Sequence, residues 1–351
     1  MAQPLSARAE SRSGPTSDSL TIILTTSPTP SAPSTELLDT IFGSYRKYCP
    51  TLLNCRVVVV FDTFVDVAPA NRLKKGYVTA EGAANWPIYK QNAQKLVLRE
   101  FADVGEDVPM VAEELQAEWG SPGPPGKDNA TAYSLKRTVD RRVTFIEPSE
   151  RLGFGLAVRS ALRAVETPYV WVQQHDWKLD ITIPVESIME VMVASDADEI
   201  APVKYVCLPS IRLLAYATSN HVTSFPELRK FTTALKRNFP TSSRPDETVP
   251  LTPLFFWHDK THIASTAHYL QRVFPSRLAM PRGAFIEDHI GQRARNQMKE
   301  GQWKKWACWL YYPENGQQLC LVHLKGRTWR GTEAEKKKIE AFRLENGSLT
   351  R

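Results

Sequence analysis

The sequence predicts an α/β protein with a mainly parallel central sheet. Leu20–Thr25 and Arg56–Phe61 are short, β-branched apolar runs, typical of strands that are buried on both faces. Between them, apolar residues recur at helical spacing from Leu37 to Tyr45. Strand, helix and strand within about forty residues form a βαβ unit, and such units build parallel sheets.

A second unit of the same kind follows later in the chain. We expect a strand at Arg142–Ile146, a helix at Leu156–Val165 and an aromatic strand at Tyr169–Gln173. Residues 63–140, between the two units, are less regular and are expected to be an insertion. Within it, Trp86–Phe101 has a helical pattern and Ser121–Asn129 is a loop rich in proline and glycine.

The rest of the chain continues the alternation of helices and strands. Helices are expected at Val185–Val193, Pro226–Phe239, Thr261–Phe274 and Asp288–Lys299, and strands at Ile200–Val206, Leu251–Trp257, Trp306–Tyr312 and Leu319–Leu324. We therefore divide the chain into a lead at 1–19, a main domain at 20–330 with the insertion at about 63–140, and a charged helical tail at 331–351. The lead is expected to be disordered or to be a targeting segment.

Composition narrows the class of protein. The net charge of +6 comes from 44 basic and 38 acidic residues, a mixed surface without the basic and aromatic motif of a nucleic-acid binder. The 5 cysteines have no CxxC spacing, which argues against a structural zinc site and a disulfide framework. No apolar stretch reaches the roughly eighteen residues of a transmembrane helix. We expect a soluble, cytoplasmic protein with no nucleic-acid partner, although organelle targeting by the lead stays open.

Polar and ionisable residues follow the aromatic strand directly. Gln174, His175 and Asp176 come after Tyr169–Gln173. Ligands of open α/β sheets bind outside the carboxyl ends of the strands, so these side chains are expected at the mouth of a site. The alternative is a polar strand end that Asp176 caps.

The first two strands also end in polar residues. Thr25, Thr26 and Ser27 follow the first strand, and Asp62 closes the second. Their positions at the carboxyl ends of adjacent strands suit ligand binding. Turn chemistry explains the same residues equally well.

The order of these motifs resembles the GT-A glycosyltransferases, especially the inverting, family-2-like branch of the nucleotide-diphospho-sugar transferases. The resemblance rests on the glycine turn at Gly153 and Gly155, the small-residue helix, the aromatic strand and the polar cluster. Gln174 takes the first position of the family's Asp-x-Asp motif and Asp176 the second, so the first carboxylate is absent. The implied fold is a GT-A (Rossmann-like) three-layer αβα sandwich.

The same resemblance implies a metal and a catalytic base. It assigns Asp176 and the late histidine His323, in the LVHL run, to a divalent cation, Mn²⁺ or Mg²⁺. In the FIEDH run, it makes Asp288 the base that deprotonates the acceptor, with Glu287 beside it. The alternatives are structural: a lone strand histidine is usually part of the packing, and two acids at a helix start also complement the helix dipole.

The remaining implied contacts concern the donor and the acceptor. Residues assigned to the nucleotide sugar are Thr25, Thr26, Ser27, Asp62, Arg159, Gln174 and His175. Trp257, His258 and Asp259 are assigned to an acceptor pocket, because aromatic faces beside polar groups suit sugars. The alternatives are a solvated surface for Arg159 and, for the Trp257 segment, core structure that ends in a helix cap.

These assignments predict a glycosyltransferase. It would transfer a sugar, with inversion, from a nucleotide-diphosphate sugar to an unknown acceptor, which is a glycan, a protein or a small molecule. A catalytically inactive nucleotide- or sugar-binding module of the same fold is the main alternative. A sugar nucleotidyltransferase is a second one, but TTSPTPSAPS after the first strand lacks the glycine-rich, basic signature of that class.

Overall fold

The computed structural model of the chain describes residues 15–69, 75–102, 108–124 and 129–347, and most of its strands belong to one eleven-stranded sheet. The strands are β1 (Leu20–Thr26), β2 (Arg56–Phe61), β3 (Asp66–Val67), β4 (Tyr77–Val78), β5 (Met110–Glu118), β6 (Ala130–Thr138), β7 (Val143–Pro148), β8 (Tyr169–Gln174), β9 (Trp177–Leu179), β10 (Tyr205–Cys207), β11 (Arg237–Pro240), β12 (Thr248–Pro253), β13 (His262–Ser265), β14 (Cys308–Tyr311) and β15 (Leu321–His323). The α-helices are α1 (Pro15–Ser19), α2 (Glu36–Tyr48), α3 (Ala80–Phe101), α4 (Phe154–Arg163), α5 (Val185–Ala194), α6 (Asn220–Thr223), α7 (Pro226–Leu235), α8 (Thr266–Arg272), α9 (Gln292–Lys299), α10 (Trp303–Trp306) and α11 (Thr332–Gly347).

The middle of the large sheet is parallel. Its strands follow the order β11-β12-β14-β10-β13-β8-β1-β2-β7-β6-β5. From β7 to β14 every strand runs in one direction except β13, which pairs antiparallel with both β8 and β10. Antiparallel strands complete the two flanks. The predicted α/β fold with a mainly parallel central sheet is confirmed.

The order in which strands are added to the sheet reverses at β1. The chain passes from β1 outward to β2 and β7, then returns over both to place β8 on the other side of β1. Right-handed crossovers in opposite directions put their helices on opposite faces, which makes three layers. Accordingly, α2 contacts α3, whereas α4 contacts α8. Such a reversal opens a crevice at the carboxyl ends of the two diverging strands, the position where ligands bind in this architecture.

Some elements differ from their predicted form because pairing overrides local periodicity. Thr261–Phe274 was expected to be one helix, but its first part is β13 and only the rest is α8. Ile263 and Ala264 are fully buried between two neighbouring strands, which explains the extended backbone. In the same way, Pro226–Phe239 divides into α7 and β11, and only the last part of Ile200–Val206 becomes strand.

The insertion and the two ends have structure of their own. Between β4 and β7, the chain forms the long helix α3 and the hairpin β5–β6, which extends the sheet at one edge. Residues 15–19 of the lead form α1, in which Thr16 and Ser17 are buried, while residues 1–14 lie outside the described residues. The charged tail is the helix α11, as expected.

Two of the exclusions can be compared with the structure. All five cysteines are buried, free thiols. Within the described part of the chain, no helix combines the length and the apolar content that a bilayer span needs.

Candidate active site

The polar strand ends lie side by side at the reversal of the sheet. In the strand register, Thr25 of β1 is opposite Gln174 of β8, and Thr26 is opposite the last residue of β2, Phe61. Asp62 follows directly and donates its backbone N–H to the carbonyl of Thr26 at 2.9 Å. The cluster expected from the sequence is therefore assembled at the carboxyl ends of β1, β2 and β8.

Asp176 and His323 are in direct contact. His323 Nε2 lies 3.0 Å from Asp176 Oδ2, and the N–H of Gly326 donates to the same oxygen at 2.9 Å. The contact forms because β15 pairs antiparallel with β9, with His323 opposite Trp177, and the two rings stack at 4.4 Å. These two residues are 147 positions apart in the chain, so the fold creates the pair.

The surroundings of Asp176 keep its carboxylate ionised. Burial alone would raise the pKa of Asp176, but the hydrogen bond from His323, the nearby His175 and the N–H of Gly326 together lower it. The other oxygen, Oδ1, is buried and has no hydrogen-bond partner among the described residues. A buried, ionised carboxylate with one free oxygen is expected to take a ligand, because leaving it unpaired is costly.

Asp176 and His323 suit a cation that a bound ligand also coordinates, rather than one coordinated by protein groups alone. Within the described ranges, no group of three or more His, Cys, Asp or Glu side chains is arranged to hold a metal. Mg²⁺ and similar ions need only one or two protein carboxylates when phosphate and water supply the remaining oxygens. Asp176 Oδ1 and the half-exposed His323 provide such a partial site.

His175 is turned toward β1. Its Nδ1 lies 2.8 Å from Thr26 Oγ1 and accepts a 3.3 Å hydrogen bond from the N–H of Ser27, and Thr26 Oγ1 also contacts the hydroxyl of Tyr89 at 2.8 Å. Since an amide can only donate, Nδ1 accepts and the ring is neutral. Burial lowers the pKa of His175, in agreement with a neutral ring. His175 and Thr26 thus link β8 to β1 and shape the floor of the cleft.

Asp62 holds the glycine turn. Its Oδ1 accepts from the N–H of Leu152 at 2.7 Å and its Oδ2 from the N–H of Gly153 at 2.9 Å. The turn in turn packs on the segment before the Glu287–Asp288 pair, where the N–H of Gly283 donates to Leu152 at 2.8 Å. The two glycines of the GxG motif therefore permit a close approach of two backbones.

The acidic pair is fixed to the Trp257–Asp259 segment by reciprocal hydrogen bonds. The N–H of Glu287 donates to Asp259 Oδ1 at 3.2 Å, and the N–H of Asp259 donates to Glu287 Oε2 at 3.3 Å. His258 Nδ1 lies 3.4 Å from the same Glu287 oxygen. Burial lowers the pKa of His258 to about 4, whereas His258, Lys260 and the Asp259 amide outweigh burial and hold the pKa of Glu287 at about 2. Glu287 is thus an anion held by donors, and Asp288 beside it is exposed.

One amide connects the two halves of the cleft. Gln174 Nε2 donates to the carbonyl of Asp259 at 2.9 Å, so the residue in the position of the missing aspartate joins the end of β8 to the segment that holds Glu287. The structure therefore brings Gln174, Asp176 and His323 into one connected rim with Asp259 and Glu287.

Two of the expected site residues lie away from this rim. The Trp257 ring is fully buried and packs against Tyr205, with ring centroids 4.2 Å apart, so it is part of the core. Arg159 is buried in α4, where it donates to the carbonyl of Glu118 on β5. Arg159 is directed into packed structure by its helix α4, and Trp257, in the segment after β12, by its packing on Tyr205.

Three cations at the cleft were not singled out as a group from the sequence. Lys75 Nζ lies 3.5 Å from the ring centroid of Phe285, which precedes the acidic pair. Burial and the charges of Arg151 and Arg327 lower the pKa of Lys75, and the charges of Asp288 and Asp259 oppose this effect. Arg327 follows Gly326, the residue that binds Asp176. Lys75 and Arg327 reach the cleft from loops, so no periodic pattern could have indicated them.

Comparison with known proteins gives matches of structure only. No protein-family model matches the sequence, and no curated protein matches it either. Among solved structures, the chain is similar to the mannosyltransferase PcManGT from Pyrobaculum calidifontis in complex with GDP-Man and Mn²⁺, with a TM-score of 0.35 and 13% identity over 85% of this chain and 58% of that one.

Two other solved structures are also similar to this chain. S. aureus TarS 1-349 in complex with UDP-GlcNAc has a TM-score of 0.37 and 11% identity over 86% of this chain and 57% of that one. Glucosyl-3-phosphoglycerate synthase from Mycobacterium tuberculosis, with Mn²⁺, UDP and phosphoglyceric acid, has a TM-score of 0.26 and 10% identity over 82% of this chain and 78% of that one. The chain thus spans less than two thirds of the first structures it matches.

Proposed function

We propose that this protein is a glycosyltransferase that transfers a sugar from a nucleotide-diphosphate sugar to an acceptor hydroxyl. The observation that carries the proposal is the Asp176–His323 contact at the point where the sheet reverses, 3.0 Å between the two side chains. It lies on the same rim as the Glu287–Asp288 pair, to which Gln174 and Asp259 connect it. A polar cleft at this point of an α/β sheet is where a nucleotide ligand is expected.

The donor would lie along the ends of β1, β2 and β8. Thr25, Ser27 and the Asp62 turn border the position expected for its nucleoside, and the diphosphate would lie toward Asp176. Lys75, Arg151 and Arg327 would supply positive charge near that position, since Lys75 contacts Phe285 beside the acidic pair and Arg327 follows Gly326, which binds Asp176. Cations near a diphosphate stabilise the negative charge that develops on it as the glycosidic bond breaks.

Asp176 and His323 would hold a divalent cation, Mn²⁺ or Mg²⁺. Such an ion supplies Lewis-acid stabilisation of the leaving diphosphate when it is bound. The free Oδ1 of Asp176 and the exposed side of His323 support this role. Gly326 packs closely against these residues. A Cβ at that position would lie 2.7 Å from His175 Nε2 and 3.1 Å from Asp176 Oδ2, so there is no room for a side chain.

Asp288 would accept the proton of the acceptor hydroxyl. It is exposed at the start of the Glu287–Gly291 helical turn, and the Asp259–Glu287 hydrogen bonds fix the backbone beside it. A base opposite the leaving group gives direct displacement with inversion at the anomeric carbon. His258 and Asp259 then border the acceptor side of the cleft.

A binding module without catalysis is the second candidate, and one observation favours it. Gln174 occupies the position of the first aspartate, and its amide is already bonded to the backbone of Asp259. The chain therefore offers one carboxylate at the cation position where the resembled family offers two. Nucleotide binding without turnover would support this second candidate.

Thermal unfolding in the presence of nucleotides tests the proposal. The full chain would be measured with UDP, GDP and their sugar derivatives, each with Mn²⁺ and with EDTA. We expect one base to raise the unfolding temperature only with the cation. Asp176→Asn should remove this rise, because the amide is a poorer cation ligand and carries no charge. Asp246→Asn, at an exposed aspartate outside the cleft, is the matched control and should keep it.

The proposal fails if no nucleotide stabilises the protein with or without the cation. It also fails in its metal assignment if the stabilisation persists in EDTA and in Asp176→Asn. In that case Lys75, Arg151 and Arg327 would be the groups that bind the diphosphate.

A further inference from the structure

Three arginines surround one carboxylate at the opposite end of the sheet. Arg56 begins β2, Arg137 lies on β6, Arg141 lies in the turn between β6 and β7, and Glu166 lies between α4 and β8. Arg56 Nη1 is 2.8 Å and Arg141 Nη1 2.6 Å from Glu166, and Arg137 Nη1 is 3.8 Å away. We call these four residues the Glu166 cluster.

The Glu166 cluster borders an opening at the amino-terminal ends of the parallel strands. The opening is small, with a cavity volume of about 10 Å³, and its lining includes Thr21 of β1 and Thr144 of β7. A volume of this size holds about one water molecule, so a larger anion would have to take the place of the Glu166 carboxylate. The candidate active site lies beyond the other end of the same strands, a strand length of about 20 Å away.

Charge in this opening is not balanced. Among the described side chains that line it, three are guanidinium groups and only one is a carboxylate. Glu166 is half-exposed and serves all three arginines, and their charges outweigh the effect of burial and lower its pKa. Two positive charges therefore remain without a partner inside the cluster.

The backbone at Arg141 is held in a conformation that few residues adopt. Its φ of 59° lies in the left-handed region, which is unfavourable for an L-residue with a long side chain. Asp140 Oδ1 fixes this turn by accepting from the Thr138 hydroxyl at 2.6 Å and from the N–H of Arg142 at 3.0 Å. The turn thus presents a guanidinium where glycine would be the relaxed choice, and such strain is typical of functional positions.

From the convergence of three guanidinium groups on one carboxylate, their unbalanced charge and the strained turn, we infer that the Glu166 cluster binds a phosphate group in place of the Glu166 carboxylate. A dianionic phosphate matches the two uncompensated charges, and guanidinium groups bind phosphate oxygens through paired N–H donors. Glu166 occupies the arginines in the absence of the phosphate and is its competitor. The group would be free phosphate or the phosphomonoester of a small molecule.

Isothermal titration of the full chain tests this inference. Inorganic phosphate and ribose 5-phosphate would be titrated separately, at constant ionic strength, to distinguish the free ion from a monoester. Removing the competitor in Glu166→Gln should tighten binding about tenfold. Removing a donor in Arg141→Gln or Arg56→Gln should weaken binding about tenfold. Arg229→Gln, at an exposed arginine of α7, loses the same charge elsewhere and should leave the affinity unchanged.

Three outcomes would overturn the inference. The first is the absence of binding heat for both ligands in the unmodified chain and in Glu166→Gln. The second is equal weakening in Arg229→Gln and Arg141→Gln, which would indicate general charge attraction. The third is binding that is lost in Arg151→Gln but kept in Arg141→Gln, which would assign the phosphate to the candidate active site. Arg141 is mostly exposed, with 59% of its side chain accessible, so Arg141→Gln is expected to fold.

Discussion

Neighbouring groups shift the pKa values of two buried carboxyls of the cleft in opposite directions. Asp176 receives hydrogen bonds from His323 and Gly326, and they lower its pKa against the effect of burial. Asp259 is equally buried, but its Oδ2 has no partner among the described residues, and burial together with Glu287 raises its pKa well above the usual value. Asp176 is therefore suited to a cation, and Asp259 to a neutral, structural role beside Glu287.

The proposed base gives the sharpest prediction at a single residue. Asp288→Asn should lower the rate of sugar transfer about a hundredfold or more, because the amide cannot accept the acceptor proton. Donor binding should stay unchanged, since Asp288 lies on the acceptor side. The measurement is the transfer or hydrolysis rate with the donor found by thermal unfolding, and Asp246→Asn serves as the control. Equal rates in both variants would remove Asp288 from the mechanism.

The lowered pKa of His258 predicts that the stability of the protein depends on pH. The folded pKa of about 4 is below the roughly 6.5 of an unfolded histidine, so the unfolded chain binds more protons between these values. The free energy of unfolding should therefore fall as the pH decreases from 6.5 to 4, by up to about 1.4 kcal/mol per pH unit for this group. Urea unfolding across this range should show a shallower slope for His258→Gln.

The exposed His289 offers a matched control for that slope. His289→Gln should retain the dependence of the unmodified protein. The account of His258 would be contradicted if the two variants had the same slope.

Among the elements, the glycine turn before α4 is the joint between the two halves of the cleft. Gly153 has a φ of +81°, and a Cβ there would lie 2.4 Å from the Cα of Gly283. Because Asp62 also binds this turn, its position fixes β2, α4 and the segment that leads to Glu287. A change in the turn should thus affect stability and the geometry of the cleft together.

Gly153→Ala tests this joint, and Gly301→Ala is its control. Gly301 has nearly the same φ of +83°, but nothing lies within 4 Å of a Cβ at that position. Both substitutions incur the backbone strain, whereas only the first forces two backbones apart. We expect Gly153→Ala to lower the free energy of unfolding by about 2 kcal/mol more than Gly301→Ala does. Equal losses in urea unfolding would mean that the close approach has no energetic role.

The elements also show what the sequence could indicate. β1, β2 and β8 were predictable because strands buried on both faces are continuous apolar runs. β13 was not, since a four-residue strand followed directly by a helix carries apolar residues at both periodicities, and pairing with β8 and β10 decides its form. The hairpin β5–β6 was missed because most of β5 is exposed and its apolar and polar residues do not alternate regularly.

The candidate site likewise contains residues that the sequence could locate and residues that it could not. Gln174, His175 and Asp176 could be located from the strand that precedes them. The Asp176–His323 contact joins residues 147 positions apart and depends on the pairing of β9 with β15, which sequence order alone does not fix. Lys75 and Arg327 enter the cleft from loops, whose paths no hydrophobic pattern determines.

At the scale of the whole molecule, the order of the strands determines where chemistry is possible. The reversal at β1 gathers Thr26, Asp62 and Asp176 at one edge of the sheet, and antiparallel β13 leads from the Asp259 segment back into the core. The Glu166 cluster lies at the amino-terminal ends of these strands. The molecule thus has two polar openings at opposite ends of the same parallel strands.

Release of nucleoside diphosphate from sugar nucleotides tests the central claim most directly. A panel of UDP- and GDP-sugars would be incubated with the full chain, with Mn²⁺ and with EDTA, and the product quantified. The account predicts turnover of one donor that requires the cation and falls about a hundredfold in Asp176→Asn but not in Asp246→Asn. Turnover that persists undiminished in Asp176→Asn, or no release from any donor, would contradict it.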